Sequence, residues 1–437
     1  MIGSAVPYAR RLRMAGCRLL LGQTFCQAAA VSRSTEWLPP TAVRDRQWDG
    51  VLEIVRAARE AGAPGAGRLD AGMTPGRFAE VPPLTREELR RAVGADASPR
   101  LRGMRRASGG SGGAGLAVPI DRGVYSWYMA GTWRGFSWWG VDIAQPAVLL
   151  LGHTARPPLH RLLGAVKDRA VGWHRVPVDV AFDARAAELL EAVNAPGPVA
   201  LYGYPSAVDR LARAQRGHPH MLRRLKVIVL TGEPLYEFQR RRIEETFQCP
   251  VAEEYGMGEL GSVAFECQER RLHISAETVF LEVVPDALSD GTSRAGRILA
   301  THLRNRVFPL IRYDTGDIGV MPGEGCPCGR GLPVLRVYGR ADDRLTGPAG
   351  VAPAKPWLDR FFGLLPDSLQ GSVRVVQDAP GALRLQIAPD AAAAAADPAA
   401  AARTAAAGVP GPAWTITVEE RLLHRVPSGK LALFTRA

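Results

Sequence analysis

The sequence predicts an α/β protein: a large multi-layer N-terminal domain with mixed sheets, followed by a small α+β C-terminal domain. Two short apolar runs, 147–152 (AVLLLG) and 227–232 (VIVLTG), end in turns and are typical of buried strands in an α/β sheet. Segments 297–303 (RILATHL) and 310–321 (LIRYDTGDIGVM) indicate strands of a more antiparallel region. Both kinds of strand precede a marked change in sequence character near the C-terminus.

Helices are predicted mainly in the first third of the chain. Residues 45–62 have apolar spacing typical of a helix, which Gly62 would end. Thr85 and Glu88 form a capping-box pattern that predicts a further helix start. The aromatic segment 125–140 (YSWYMAGTWRGFSWWG) is expected to be helical and partly buried.

The length of 437 residues favours two domains over a single core. The change in character near residues 339–342 places the boundary between domains 1–340 and 341–437. The smaller domain is predicted to contain one helix and three strands, at 357–365, 372–378, 383–389 and 414–420. The alanine-rich stretch 390–408 is either a surface helix or a loose loop.

The formal net charge of +12 raises the question of a nucleic-acid partner. Only four residues are lysine, so nearly all the positive charge is arginine, and these arginines are scattered along the chain. This pattern indicates a compositional bias toward Ala and Arg, and nucleic-acid binding is not expected.

The N-terminal segment begins with basic residues and an apolar patch, which superficially resembles a signal peptide. Arg18 interrupts the apolar run, and Gln23 and Thr24 follow soon after it. The sequence contains no run of about 18 apolar residues free of charge, so no transmembrane segment is predicted. A cytoplasmic, reducing location without structural disulfides is expected.

A glycine-rich loop at 107–115 (ASGGSGGAG) is a candidate phosphate-binding site. Glycine allows successive backbone N–H groups to point toward one anion, and serine hydroxyls add donors. The loop lacks the Walker A pattern, and a Gly/Ser stretch alone is as often a flexible linker. The candidate phosphate-binding residues are Ser108, Gly109, Gly110, Ser111 and Gly112.

Polar residues also follow predicted strands in the middle of the chain. Gly232, Glu233 and Pro234 come directly after the run 227–232, at the end of a strand where α/β sheets bind ligands. Further along, the segment YGMGE places Tyr255 four residues before Glu259. Taken singly, Tyr255 could be a core residue and Glu259 a solvated charge.

Three more motifs lie toward the C-terminus. Asp317 follows a Thr–Gly turn, where a carboxylate could accept two ribose hydroxyls. Arg340 belongs to YGRADD at the predicted domain boundary. Lys430, one of the few lysines, follows a Pro-Ser-Gly turn in HRVPSGKLALF.

In this order, the five motifs resemble those of the adenylate-forming superfamily of acyl–coenzyme A ligases and adenylation domains. The chain is most similar to the phenylacetate–coenzyme A ligase branch, through PLTREELR, GEPL, RNRVFPLIRYDTGD and CPCGRGLP leading into YGRADD. The resemblance runs from about residue 45 to the end. Each motif alone is weak evidence for the family. The resemblance depends on the five motifs occurring in the same order as in the family.

The resemblance implies ATP-dependent activation of an aryl or acyl carboxylic acid to an acyl-adenylate, followed by transfer to a thiol, most often that of coenzyme A. By resemblance, loop 107–112 holds the phosphates and Glu259 helps to hold Mg²⁺. Glu233 and Tyr255 border the adenine, and Asp317 and Arg340 hold the ribose. The neighbouring residues Gly232, Pro234 and Gly256 belong to the same nucleotide-binding set. Lys430 reaches the α-phosphate and the carboxylate from a small lid domain, which turns between half-reactions about a hinge near Asp342.

Two departures from the family pattern leave alternatives open. The glycine-rich loop lacks the usual threonine, and Gly258 stands where the family usually has Thr or Ser. Both departures could slow adenylation, and the chain could pass its acyl group to a carrier-protein thiol, an amine or a hydroxyl. It could also be a nucleotide-binding relative without ligase activity. Because Lys430, Glu259 and Asp317 are present, an active acid–thiol ligase is favoured; a homodimer is left open.

Four residues form a candidate zinc site. Cys326 and Cys328 are too close in sequence for an unstrained disulfide, but they could bind one metal ion together. Cys267 and His273, on a predicted hairpin, complete a Cys₃His set, the composition of a closed structural zinc site. The phenylacetate ligase branch is similar in this respect. The alternative is that these are unrelated buried cysteines.

Overall fold

The structure is a computed structural model, and it describes most of the chain. It leaves out residues 1–7, 64, 71, 96–103, 108–115, 143–144, 153–163, 167, 170, 180, 216–221, 286–294, 348–349, 390–395, 411–413, 424 and 426–428, together with the side chains of 8–21, 95 and 104–107.

The helices of the described chain lie mainly in its first two thirds. They are α1 (Tyr8–Thr35, interrupted at Gly22), α2 (Pro40–Ala61), α3 (Pro75–Glu80), α4 (Arg86–Ala95), α5 (Arg122–Trp138), α6 (Ala186–Asn194), α7 (Pro205–Gln215), α8 (Glu237–Phe247), α9 (Ala354–Leu364) and α10 (Pro398–Gly408).

The strands of the first part of the chain are β1 (Met104–Ala107), β2 (Ala117–Ile120), β3 (Ala147–Gly152), β4 (Trp173–Val178), β5 (Ala200–Gly203), β6 (Val227–Thr231), β7 (Val251–Met257), β8 (Gly261–Glu266), β9 (Leu272–Ile274) and β10 (Val279–Pro285). Those that follow are β11 (Gly296–His302), β12 (Tyr313–Val320), β13 (Val334–Arg340), β14 (Arg344–Gly347), β15 (Gly350–Pro353), β16 (Val373–Ala379), β17 (Ala382–Ile387), β18 (Thr415–Glu420) and β19 (Phe434–Arg436).

Eleven of the described strands form one mixed sheet, in the order β10-β11-β12-β13-β9-β8-β7-β6-β5-β3-β4. The half from β4 to β7 is parallel, and its strands are buried because helices cover them. From β7 to β10 every pairing is antiparallel. The predicted fold class is confirmed, with the buried runs at β3 and β6 and the antiparallel region at β11 and β12.

Two predicted helix signals are present as hydrogen-bonded caps. Gly62 ends α2 with φ +60°, a left-handed conformation that favours glycine, and its N–H bonds back to the last turn. Before α4, the Glu88 N–H donates to Thr85 Oγ1 at 3.2 Å, while the Thr85 N–H donates to the Glu88 carboxylate at 2.8 Å. This reciprocal pair is the predicted capping box.

The aromatic helix α5 is largely buried against the sheet and against α1. Trp133 and Phe136 belong to one apolar cluster with residues of β3, β6 and β7. Trp133 also stacks on Trp173, with ring centroids 5.6 Å apart. Most aromatic side chains of α5 are therefore core residues, in agreement with the predicted helix and its partial burial.

A separate four-stranded sheet, in the order β18-β17-β16-β19, occupies the C-terminal part. Helices α9 and α10 cover its apolar side, and Ala402, Ala405 and Ala406 of the alanine-rich segment are buried there. The large sheet ends in sequence at Arg340, the last residue of β13. The boundary between residues 340 and 341 stays a prediction.

The C-terminal sheet packs on α8 and the residues just before it. Tyr236 and Phe238 share an apolar cluster with the core of the small sheet, and both rings contact Phe362 of α9, with centroids 5.0 and 5.2 Å away. The segment that carries Lys430 is thereby held beside the carboxyl ends of the parallel strands.

Among the helices that the structure describes, none is long and apolar enough to cross a membrane.

Candidate active site and metal centre

The described site residues lie at the carboxyl ends of the parallel strands and on the neighbouring antiparallel strands. Gly232, Glu233 and Pro234 follow β6, and Tyr255 and Gly256 lie near the end of β7. Parallel strands present their carboxyl ends at one sheet edge, the usual position for ligands in this fold class.

Asp317, Tyr255 and Arg340 form one hydrogen-bonded group. The Tyr255 hydroxyl donates to Asp317 Oδ2 at 2.6 Å, and Arg340 Nη1 donates to Asp317 Oδ1 at 3.2 Å. Asp317 and Arg340 face each other across β12 and β13. Burial raises the pKa of the Asp317 carboxyl, and the Arg340 guanidinium opposes that shift. The carboxylate has further lone pairs with which to accept ribose hydroxyls.

Glu259 is almost fully buried, with 1% of its surface exposed. Its Oε1 accepts a hydrogen bond from the Tyr313 hydroxyl at 3.0 Å, and Arg86 Nη1 lies 3.8 Å from that atom. Its Oε2 is buried without a hydrogen-bond partner among the residues described. A buried carboxylate oxygen without a donor fits coordination of a hard cation such as Mg²⁺.

Lys430 is half-buried and reaches from the C-terminal segment to the end of β6. Its ammonium lies 5.7 Å from the centre of the Tyr204 ring, and a Cβ atom on Gly232 would lie 3.6 Å from its Cε. Burial lowers the pKa of Lys430, while the nearby carboxylate of Glu233 raises it. Arg340, Asp317 and Glu259 also influence the pKa of Lys430, so several predicted site residues act electrostatically on this ammonium.

The glycine-rich stretch lies in sequence between β1 and β2, which pair antiparallel. The predicted phosphate-binding residues lie outside the described residues: Ser108, Gly109, Gly110, Ser111 and Gly112.

The four predicted metal ligands form one cluster. Their candidate ligand atoms all lie within 4.8 Å of one another: the Sγ atoms of Cys267, Cys326 and Cys328 and an imidazole nitrogen of His273. Cys267 directly follows β8 and His273 lies in β9, so both belong to the β8–β9 hairpin, while the two other cysteines come from the loop before β13. The cluster joins segments that are distant in sequence.

The distances within the cluster suit a tetrahedral zinc ion. Zn–S bonds of about 2.3 Å place two thiolates about 3.8 Å apart, and Cys267 Sγ and Cys326 Sγ are 3.7 Å apart. His273 Nε2 lies 3.3 Å from Cys328 Sγ, while its Nδ1 lies 3.2 Å from the Leu332 carbonyl oxygen. Burial lowers the pKa of His273 to about 4, which keeps the imidazole neutral, the form that binds a metal. The hydrogen bond between His273 Nδ1 and the Leu332 carbonyl oxygen is typical of histidine metal ligands.

Several residues around the site were not identified from the sequence. Arg86 and Tyr313, both near Glu259, stand inside or beside quoted motifs, PLTREELR and YDTGD. Arg425 stands inside the quoted stretch HRVPSGKLALF but was not singled out, while Ser206 and Asp183, which contact it, belong to no motif recognised from the sequence. Arg425 lies five residues before Lys430, and that proximity was the available signal.

No family model matches the chain. One curated relative is the phenylacetate–coenzyme A ligase of Thermus thermophilus, 32% identical over 187 residues. That alignment spans 40% of this chain and 41% of the relative, so less than half of either protein is compared.

Solved structures share the fold over nearly the whole chain. A 2-hydroxyisobutyryl-CoA ligase in its postadenylation state has a TM-score of 0.72 at 20% identity, covering 92% of this chain and 91% of the other. The same ligase gives 0.58 in an open conformation (88% and 90% covered) and 0.54 in its thioesterification state (92% and 91% covered), both at 21% identity. The fold of an adenylate-forming CoA ligase is confirmed, as is the predicted resemblance to the phenylacetate–coenzyme A ligases. Among these states the postadenylation arrangement overlays best.

Proposed function

We propose that this chain, which has the fold of the adenylate-forming CoA ligases and a phenylacetate–coenzyme A ligase among its sequence relatives, is an AMP-forming acid–thiol ligase. The observation that carries the proposal is the ion pair of Asp317 and Arg340 at the sheet edge, together with the electrostatic influence of both residues and of Glu259 on Lys430. That group supplies two cations and two carboxylates, which suits a nucleotide with a ribose and a phosphate chain.

In the first half-reaction, an oxygen of the substrate carboxylate attacks the α-phosphorus of ATP. The new bond forms as the bond to the β-phosphate oxygen breaks, giving an acyl-adenylate and pyrophosphate. Both reactants are anionic, so the main requirement is stabilisation of charge. Lys430 supplies a positive charge between them, while Asp317 fixes the position of the ribose by accepting its hydroxyls.

In the second half-reaction, a thiolate attacks the acyl carbon and the bond to the AMP oxygen breaks. The products are a thioester and AMP. We take coenzyme A as the thiol, with a carrier-protein thiol as the alternative. We also propose that residues 341–437 turn about a hinge near Asp342 and so open the site to this thiol.

Two metals complete the proposal. Mg²⁺ would be held at Glu259, whose Oε2 is available, and would offset phosphate charge when bound. Zinc would be held by the Cys₃His cluster with no open position, and its role would be structural. Reduced cysteines as ligands favour a cytoplasmic location.

The test of the reaction is acid-dependent exchange of radioactive pyrophosphate into ATP, over a panel of aryl and aliphatic carboxylic acids. Exchange with at least one acid, and formation of its CoA thioester, is the expected result. Exchange without a thioester would favour a different acyl acceptor. Nucleotide binding without exchange for any acid in the panel would favour a relative without ligase activity.

We expect Asp317→Ala to weaken AMP binding strongly. Charge-assisted hydrogen bonds contribute roughly 1.5–3 kcal/mol each, so losing two raises the dissociation constant at least about 100-fold. Titration calorimetry with AMP measures this change. Asp317→Asn, which keeps the shape and loses the charge, should lie between wild type and the alanine variant. An unchanged dissociation constant for the alanine variant would show that this turn is only structural.

A further inference from the structure

The two peptide groups on either side of Lys430 are both fixed to side chains. On one side, Arg425 Nη1 donates to the Gly429 carbonyl oxygen at 3.0 Å. On the other, the Leu431 N–H donates to Glu233 Oε1 at 2.7 Å. The backbone of Lys430 is therefore held from both ends, which restricts where its long side chain can reach.

Arg425 is buried, with 4% of its surface exposed, although it lies close to the chain end. It forms a two-pronged ion pair with Asp183, with Nη2 to Oδ1 at 2.8 Å and Nε to Oδ2 at 3.1 Å. Its Nη1 also donates to Ser206 Oγ at 2.7 Å. Its guanidinium carbon lies 5.5 Å from the centre of the Phe182 ring. This planar, two-pronged geometry is specific to arginine.

Glu233 is the second anchor, and Ser206 connects it to the first. The Ser206 hydroxyl donates to Glu233 Oε1 and its N–H donates to Oε2, both at 3.0 Å. Burial raises the pKa of the Glu233 carboxyl, and the nearby Arg425 guanidinium opposes the shift. Both carboxylate oxygens of Glu233 thus accept hydrogen bonds from protein groups.

Gly429 brings the C-terminal backbone into direct contact with the large sheet. Its φ is +82°, and a Cβ atom there would lie 2.2 Å from the Val178 carbonyl oxygen at the end of β4. Only glycine fits this approach without movement. The contact shows that the segment is seated on the sheet edge and not merely close to it.

We propose that Arg425 and Glu233, connected through Ser206, are positioning residues that hold Lys430 in the adenylate-forming site. The inference rests on the proposed function, because Lys430 needs a fixed position only if it takes part in adenylate formation. Four of these contacts join the C-terminal segment to the large sheet and its loops: Arg425 to Asp183 and to Ser206, Leu431 to Glu233, and Gly429 to Val178. They would be broken whenever that segment turns away, so they stabilise the adenylate-forming arrangement alone.

The geometry also indicates that Arg425→Ala will fold. Asp183 keeps 34% of its side chain exposed and can be solvated when its partner is removed. Glu233 retains both hydrogen bonds from Ser206. The variant therefore loses one anchor of the Lys430 backbone without leaving an unpaired charge in the core.

The test compares wild type, Arg425→Ala and Arg425→Lys with a matched control, Arg421→Ala. Arg421 lies in the same segment, but 61% of its side chain is exposed. Three properties are measured on each: acid-dependent ATP–pyrophosphate exchange, conversion of a supplied acyl-adenylate to thioester, and hydrogen exchange of the peptide that contains the Leu431 amide. Thermal unfolding checks that each variant is folded.

For Arg425→Ala we expect pyrophosphate exchange to fall roughly 100-fold, because a displacement of about 1 Å can have that effect. The fall should lie in kcat rather than in the KM for ATP. Conversion of the supplied acyl-adenylate should stay at the wild-type rate, and the Leu431 amide should exchange at least about tenfold faster than in wild type, a threshold of about 1.4 kcal/mol. Arg425→Lys should restore part of the pyrophosphate exchange, and Arg421→Ala should match wild type in all three.

The inference is overturned if Arg425→Ala matches Arg421→Ala in hydrogen exchange, or if both half-reactions fall equally. If wild type itself exchanges pyrophosphate with no acid, the proposed function fails. Hydrogen exchange at Leu431 then still decides whether Arg425 holds the Lys430 segment, so the two failures are distinguishable.

Discussion

Replacement of Lys430 by alanine is expected to abolish most adenylate formation while leaving the fold intact. The loss of one preorganised charge from the site typically lowers the rate roughly 10²–10³-fold, or about 2.7–4 kcal/mol. Lys430 is only partly buried, so a purely structural interpretation predicts little effect of its removal. The proposed mechanism also predicts that conversion of a supplied acyl-adenylate to thioester persists, since Lys430 acts only in the first half-reaction.

The measurement is acid-dependent ATP–pyrophosphate exchange, with Lys226→Ala as a matched control. Lys226 is an exposed lysine that donates to the Gly140 carbonyl oxygen, outside the site. It should exchange pyrophosphate at the wild-type rate. If Lys430→Ala retains exchange within about threefold of wild type, on that same rate scale, Lys430 has no part in the chemistry.

Replacement of both Cys326 and Cys328 by serine is expected to release one zinc ion per chain and to lower the melting temperature. Structural zinc ties together segments that otherwise lack covalent links, here the β8–β9 hairpin and the loop before β13. In a protein of this size each kcal/mol of lost stability lowers the melting temperature by only a few degrees. A loss of a few kcal/mol should therefore lower it by at least about 5 °C. Elemental analysis and differential scanning calorimetry provide the two readouts.

Cys249→Ala is the matched control for the zinc experiment. Cys249 is buried in a different apolar cluster, and burial raises the pKa of its thiol to about 12. Its replacement should lower stability through lost packing while leaving the zinc content unchanged. Wild-type protein purified without chelator and found free of metal would refute the zinc proposal.

Much of the fold could be predicted from local sequence patterns. The run at β3 matched its strand, and the capping box at Thr85 and Glu88 formed as expected, because each depends on neighbours within a few residues. The sequence predicted that the aromatic segment α5 is helical and partly buried, but not which elements cover it. Its packing depends on strands that the chain reaches only much later.

In the candidate site, too, some residues could be predicted from the sequence while their contacts could not. Asp317 and Arg340 were identified by motif, and the antiparallel pairing of their strands brings them together. That Tyr255 donates to Asp317, and that Arg86 approaches Glu259, could not be inferred from spacing. These contacts depend on how helices and strands pack against one another. The direction in which a side chain leaves its own helix or strand does not determine that packing.

The sequence by itself determined the fold class, the order of the motifs and the four possible metal ligands. Each of these follows from residue type and spacing along the chain. Only the tertiary structure decided what holds Lys430, because Arg425 and Asp183 are 242 residues apart and share no sequence pattern. A contact of that kind forms only when two segments distant in sequence pack together, so it depends on the tertiary structure and not on any local pattern.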